Sequence, residues 1–255
     1  MIPLFKSDYS IGKSILTLEP STATSDGPLS IFSLAEEGGL DKVVLVEDSL
    51  TGFLKAQKTA ESLGVQLVFG LRISICSQAT TEIPKGGDST EHKIIIFARN
   101  AAGCKLLNKI YSWGFTKGSG RIDGSFLKKN WNEEDLHLCI PFYDSFIFNN
   151  LMSFHTCVMD FSFATPTFFI EDNSLPFDAL VRGRVESYCH QHNYSIEKAQ
   201  TIYYNTEADF AAYQTYKCIC KRSSFGRGST LAKPNLDHCG SSQFSFESWQ
   251  QKTRT

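Results

Sequence analysis

At 255 residues, 42% hydrophobic and 20% charged, the chain is long enough to bury one large α/β core. The formal net charge of −2 gives no general attraction to phosphate backbones, which argues against DNA binding by bulk charge. No apolar run approaches the roughly 20 residues that span a bilayer, and the N-terminus lacks the basic and apolar segments of a signal peptide, so we expect no membrane association.

The first half of the chain alternates helical and strand patterns. Residues 31–38 predict a helix with Ser30 as its N-cap, and the continuous apolar run 42–46 predicts a strand buried on both faces. Residues 51–63 predict a second helix that stops at Gly64, and residues 65–69 predict the next strand. This alternation predicts βα units and a mostly parallel sheet.

The second half continues the pattern. After a polar loop at 77–91, further strands are predicted at 93–98, 136–140, 146–148, 167–170 and 198–204, and helices at 101–111, 177–192 and 207–218. No repeat or long linker divides the chain. We therefore predict a single domain over residues 1–222. Residues 223–255 are predicted to be an irregular C-terminal segment, packed on the domain or serving as a partner-binding arm.

The eight cysteines are scattered along the sequence, which is unlike a small disulfide-linked secreted scaffold. Together with the missing export signal, this pattern predicts reduced thiols in a cytoplasmic protein. Cys218, Cys220, His238 and Cys239 have zinc-ligating side chains, but the C-x-C spacing is tighter than the usual zinc knuckle, so we expect no zinc there.

Eight segments of the sequence match, in the same order, the motifs of a known protein family. They are SDYS at 7–10, LAEEGGLDKVVL at 34–45, SLTGF at 49–53, VQLVFGLRISI at 65–75, HKIIIFARNAAGCKLL at 92–107, RID at 121–123, the segment 180–219 and FSFESW at 244–249. In this order they resemble the PHP (polymerase and histidinol phosphatase) domain at the front of bacterial DNA polymerase III alpha subunits. The resemblance covers nearly the whole chain, and it implies an α/β fold of the distorted (β/α)7 barrel type.

The resemblance also implies a metal site at the C-terminal ends of the strands, where His, Asp and Glu ligands hold ions that activate water and neutralise phosphoryl charge. Only His92 matches a ligand type; the other positions carried over include Lys6, Lys13, Glu47, Arg72, Thr201 and Tyr203, with Asp8 or Asp48 nearby if the register shifts. An ammonium about 4 Å from a divalent ion costs roughly 8 kcal/mol at an effective dielectric of about 20. We therefore expect a degenerate pocket with no catalytic residues, metal or cofactor.

Two interpretations of the cations remain open. Lys6 or Arg72 pairs with Glu47 and replaces the metal charges, or the pocket binds an anion without hydrolysing it. A rival hypothesis is an enzyme, a metal-dependent 3′–5′ exonuclease or phosphoesterase that uses relocated ligands.

The resemblance implies a role in DNA replication, because in the family this domain supports the polymerase and contacts the proofreading exonuclease. The family's polymerase body begins where this sequence stops, so we expect a stand-alone pseudoenzyme, from a split polymerase or a phage. It would act as a protein–protein interaction module that binds a polymerase or exonuclease subunit, without strong nucleic-acid binding. Candidate anchors are aromatic side chains of the C-terminal segment, namely Phe225, Phe244, Phe246 and Trp249; alternatively they fold back onto the domain.

Overall fold

The computed structural model describes residues 1–19, 29–79, 88–220 and 240–254. Its strands are β1 (Ile2–Phe5), β2 (Lys42–Glu47), β3 (Gln66–Cys76), β4 (His92–Ala98), β5 (Arg121–Asp123), β6 (Leu136–Ile140), β7 (Thr167–Ile170) and β8 (Ser195–Ile202). Its helices are α1 (Ile31–Glu37), α2 (Phe53–Leu63), α3 (Ala101–Thr116), α4 (Gly124–Lys129), α5 (Phe146–Met152), α6 (Asp178–His192), α7 (Phe210–Cys220) and α8 (Phe246–Arg254). None of the helices in these ranges is both long enough and apolar enough to cross a membrane.

Within the described residues, seven strands close into a barrel in the order β2-β1-β8-β7-β6-β4-β3, because β2 also pairs with β3. Neighbouring strands are parallel except for β4, which runs antiparallel to both β3 and β6. The short strand β5 lies outside the ring and pairs with the end of β3. The predicted α/β class and the mostly parallel sheet are confirmed.

Two apolar layers follow from the alternation of side chains along the strands. One set fills the barrel interior and consists of Leu4, Val44, Val46, Ile95, Phe97, Cys139, Phe169 and Ala199. A Cβ at Gly70 would lie 2.5 Å from the Phe97 ring, so the interior needs glycine where that ring crosses β3. The other set points outward and packs under the helices, as Leu45, Ile73, Ile94 and Phe168 do.

The predicted helices at 31–38, 51–63, 101–111, 177–192 and 207–218 are all present, with bounds that differ by a few residues and a 3-10 turn (Glu207–Asp209) before α7. The predicted strand at 146–148 is wrong, because these residues begin α5. The Ser145 hydroxyl accepts a hydrogen bond from the Phe148 backbone N–H and caps the helix. A short apolar run does not distinguish a strand from a helix, and this N-cap favours the helix.

The C-terminal segment is not irregular in its described part, because residues 246–254 form α8. Phe244, Phe246 and Trp249 are buried, the Trp249 indole stacks on Phe246, and its Nε1 donates to the Met1 carbonyl at 3.1 Å. These side chains pack on the domain, which is the second of the two alternatives given above, and as buried side chains they are not exposed anchors for a partner. Phe225 lies outside the described residues.

Candidate functional site

The candidate site is the mouth of the barrel at the C-terminal ends of its parallel strands, where barrel proteins commonly bind ligands. Lys6 follows β1, Asp48 follows β2 and Glu171 follows β7, while Arg72 and Thr201 lie within β3 and β8. Each is separated by an even number of residues from an interior side chain of its own strand, so all of them face the barrel axis. The fold therefore brings together charged side chains from distant parts of the sequence.

Four charged side chains form a chain of ion pairs across the mouth. Lys6 Nζ lies 2.8 Å from Asp48 Oδ1, Arg72 lies 3.9 Å from the same oxygen, and Arg72 donates to Asp144 Oδ2 at 2.6 Å. Burial would raise the pKa of Asp48, but Lys6 and Arg72 hold it well below its ordinary value. Burial lowers the pKa of the Arg72 guanidinium, but Asp144 and Asp48 more than compensate, so this pKa lies above its ordinary value.

A second polar network holds Glu171 on the other side of the mouth. Its carboxylate accepts hydrogen bonds from the Thr201 N–H at 2.9 Å, the Thr201 hydroxyl at 2.8 Å and Asn173 Nδ2 at 2.9 Å. Asn173 Nδ2 also donates to the Tyr143 hydroxyl, which donates to Asp178. Burial, followed by the charges of Glu171 and Asp178, raises the pKa of Tyr143, so the phenol stays protonated as a donor.

The space left between these networks is small. The cavity bounded by Lys6, Arg72, Glu171, Thr201 and Tyr203 has a volume of about 30 Å³, which is room for one or two water molecules. A phosphate with its five heavy atoms needs the mouth to widen. In this conformation the mouth is a filled polar core, not an open active-site cleft.

Glu47 was predicted to pair with Lys6 or Arg72, but the carboxylate near both of them is that of the next residue, Asp48. Glu47 accepts hydrogen bonds from the Ser7 N–H at 2.8 Å, the Ser7 hydroxyl at 2.6 Å and the Ser10 hydroxyl, and it forms no ion pair with a described residue. Burial raises the pKa of Glu47, although Lys6 and the serine hydroxyls oppose this shift. Because adjacent strand residues face opposite sides, Glu47 points toward the helices and Asp48 points toward the axis.

His92 does not belong to the mouth, which corrects its assignment to the degenerate pocket. In the register of β3 with β4, His92 pairs with Ile75 and Ile95 pairs with Arg72. These two pairs are three positions apart, so His92 faces the opposite side of the sheet from Arg72, toward the outer layer. Its Nδ1 lies 3.0 Å from the Thr90 carbonyl, to which it therefore donates, and 3.4 Å from Cys157 Sγ. Burial lowers the pKa of His92 to about 4, so the ring is neutral at pH 7.

The remaining predicted positions lie in different places. Tyr203 lines the mouth and stacks on Tyr213, with ring centroids 5.4 Å apart. Lys13 lies close enough to lower the pKa of Asp48 but forms no ion pair with a described residue. Asp8 faces a separate open hollow that it shares with Tyr9 and Thr51, and burial raises its pKa.

Sequence reasoning missed Asp144, Tyr143, Glu171 and Asn173. Glu171 had a usable signal, because it directly follows the predicted strand 167–170 and strand ends meet at the mouth. Asp144 had none, since it lies in a turn whose position depends on the tertiary fold.

Among the described residues, no group of three or more His, Cys, Asp or Glu side chains is placed to hold a metal ion. His238 and Cys239 of the possible zinc set lie outside those residues. No protein-family model matches the chain, and no curated protein matches it. The PHP assignment therefore rests on the sequence resemblance.

Proposed function

We propose that the chain is a distorted (β/α)7 PHP-type protein that has lost metal-dependent hydrolysis and acts in DNA replication by binding another protein. The observation that carries this proposal is the pairing of two cations with carboxylates at the mouth, where the resemblance implies metal ions. Lys6 and Arg72 face the axis, and each is paired with a carboxylate. The seven-stranded ring with its outer helices supports the barrel assignment.

The state of the carboxylates supports the loss of hydrolysis. Metal-assisted phosphoester cleavage needs carboxylates and imidazoles free to ligate, and a cation that can approach the phosphoryl oxygens. At this mouth Asp48 and Asp144 neutralise cations, and Glu171 accepts hydrogen bonds from Thr201 and Asn173. A divalent ion placed about 4 Å from the Lys6 ammonium would be opposed by roughly 8 kcal/mol at an effective dielectric of about 20.

The partner in this proposal is a polymerase or proofreading exonuclease subunit, as the sequence resemblance implies. The net charge of −2 supports a protein partner over a nucleic acid, because binding to phosphate backbones is driven by Lys and Arg contacts.

The test begins with the purified full chain, incubated with Zn²⁺ or Mn²⁺ and then dialysed. Elemental analysis is expected to find far less than one equivalent of Zn, Mn or Fe, and nuclease and phosphatase assays are expected to show no activity. Two or three retained ions, or an activity that Glu171→Gln abolishes and His92→Ala leaves intact, would establish the rival enzyme.

The binding role is tested separately. Affinity purification from the native host is expected to recover a replication protein, while DNA affinity at physiological salt stays weak. Tight DNA binding with a steep salt dependence, and no protein partner, would reject the proposal in favour of a nucleic-acid-binding role.

A further inference from the structure

A groove between α2 and α3 is an apolar feature of the outer surface that the proposed function leaves unexplained. α2 packs on β3 and α3 packs on β4, and the groove lies between the two helices. The gap has a volume of about 480 Å³, with Leu67 and Phe69 of β3 and Ala98 of β4 at its floor. This volume lies within the range of about 300–1,000 Å³ that is typical of binding pockets.

The walls of the groove carry apolar side chains from both helices. On α2, Phe53 is half-buried and Leu54 is 69% exposed. On α3, Cys104 and Leu107 line the groove. Tyr111 and Phe115 continue the same stripe beyond the groove, into the hollow that contains Asp8, and Phe115 is 52% exposed. From position 104 to position 115 the stripe is about 16 Å long, which equals three helical turns. Exposed apolar stripes of this kind mark protein-binding surfaces.

The rim of the groove is basic. Lys105 lines it, Lys109 lies one turn further along α3, and Lys58 lies one turn after Leu54 on α2. None of these lysines forms an ion pair with a described residue, and α3 contains no Asp or Glu. The only acid of α2, Glu61, accepts a hydrogen bond from Gln57. An apolar floor with a basic rim is complementary to an apolar segment flanked by acidic residues.

The floor excludes one of the two common ways of binding a peptide. β3 is paired with β2 and β4, and β4 is paired with β3 and β6, so neither strand offers a free edge to which a partner strand can be added. A groove between two helices instead accommodates the apolar face of a third helix.

We propose that the α2–α3 groove binds an amphipathic helix of a protein partner, with large apolar side chains on one face and acidic residues on both flanks. The inference rests on the proposed function, since it identifies the surface and the partner chemistry of that binding role. Phe53 and Leu54 contact the apolar face of the partner helix, and Lys58, Lys105 and Lys109 contact its acidic flanks.

The experiment pans the full chain against a displayed library of 16-residue helical peptides. One face carries Leu at i, i+3/4 and i+7, and the flanks vary among Glu, Gln and Lys. Glu is expected to be enriched over Lys at the flanks. Leu54→Asp should weaken the selected peptides about tenfold or more, as for a buried interface anchor. Leu180→Asp is the matched control and should change nothing, because Leu180 is 54% exposed but lies on α6, which packs on β7 and β8 and does not line the groove.

A charge exchange separates recognition from general loss of structure. The double variant Lys58→Glu and Lys105→Glu should lose the Glu-flanked peptides and gain binding to the same peptides with Lys flanks. Enrichment of Lys flanks, or selected peptides that bind the Leu54→Asp variant as well as the wild type, would overturn the inference. So would a wild-type dimer that Leu54→Asp converts to a monomer, since the face would then bind a second copy of the chain.

The metal analysis of the same protein sample distinguishes the two proposals. Retained ions and hydrolysis would refute the proposed function while groove-dependent peptide binding could still be observed. A metal-free protein that selects no groove-dependent peptide would refute the groove inference alone.

Discussion

Removing the carboxylate of Asp48 tests whether the ion pairs at the mouth replace metal charge energetically. Lys6 is almost fully buried, and its ammonium lies 2.8 Å from Asp48, a separation worth about 6 kcal/mol of attraction at an effective dielectric of about 20. Removing one partner of a buried ion pair lowers the free energy of unfolding by about 3–5 kcal/mol. Because the Asp48 side chain is 32% exposed, water compensates in part, so Asp48→Asn is expected to destabilise by about 3 kcal/mol.

The assay is urea unfolding at pH 7, read as a double-mutant cycle. The double variant Lys6→Met and Asp48→Asn should come within about 1 kcal/mol of the wild type, since replacing both partners removes the stranded cation. Arg182→Gln is the matched control, because its pair with Asp172 has the same 2.8 Å distance but lies at the surface, and it should cost under about 1 kcal/mol. An Asp48→Asn variant no less stable than this control would refute the reasoning.

The pH dependence gives the same test a second readout. The pKa of Asp48 is lowered in the folded state, so its stabilising contribution is present above the ordinary carboxylate pKa of about 3.9 and is lost as the pH falls below it. The difference in stability between the wild type and Asp48→Asn should therefore narrow at about pH 3. A constant difference from pH 7 to pH 3 would show that Asp48 is not held ionised by its neighbours.

Three further variants test single features of the fold. Glu47→Ala should cost about 3–5 kcal/mol in urea unfolding, because it leaves donors of Ser7 and Ser10 buried without an acceptor; a cost under about 1 kcal/mol would contradict the burial of this carboxylate. The folded state holds the pKa of His92 at about 4, so only the unfolded state gains a proton as the pH falls below about 6.5. The wild type should therefore lose about 3 kcal/mol between pH 7 and pH 4 that His92→Phe retains, and equal slopes would refute this. Trp249→Ala should cost about 3–5 kcal/mol of folding stability, whereas a partner anchor exposed in the free protein would cost little.

Most helices and strands could be predicted from the sequence, because the local hydrophobic pattern and the capping residues agree with the fold. The run at 42–46 is apolar on both faces, since β2 lies between the barrel interior and the helices, and Gly64 adopts the left-handed conformation that ends α2. The full extent of β3 was not predictable from local pattern, because Arg72 and Ser74 are polar and are tolerated in a strand only where they face the mouth.

The details of the site were less predictable, because they depend on which face of a strand each residue takes. Sequence reasoning placed β1, β2, β3 and β8 at the mouth but missed β7, and it chose Glu47 instead of Asp48. A shift of one residue exchanges the interior and exterior faces of a strand. Because side chains alternate along β4, His92 faces outward and Lys93 faces the axis, where its ammonium donates to Ser74. No local signal in the sequence fixes this choice, since it follows from the register of β3 with β4.

The distribution of charge explains why binding is expected on the outside of this barrel. At the mouth Lys6 and Arg72 are each matched with a carboxylate across a cavity of about 30 Å³, so an incoming ion has to break existing pairs before it gains any contact. Along the α2–α3 groove, by contrast, Lys58 and Lys105 have no acidic partner among the described residues and stand beside exposed apolar side chains. A ligand there gains electrostatic and apolar contacts without breaking an ion pair among the described residues, so binding at the groove costs the protein less than binding at the mouth.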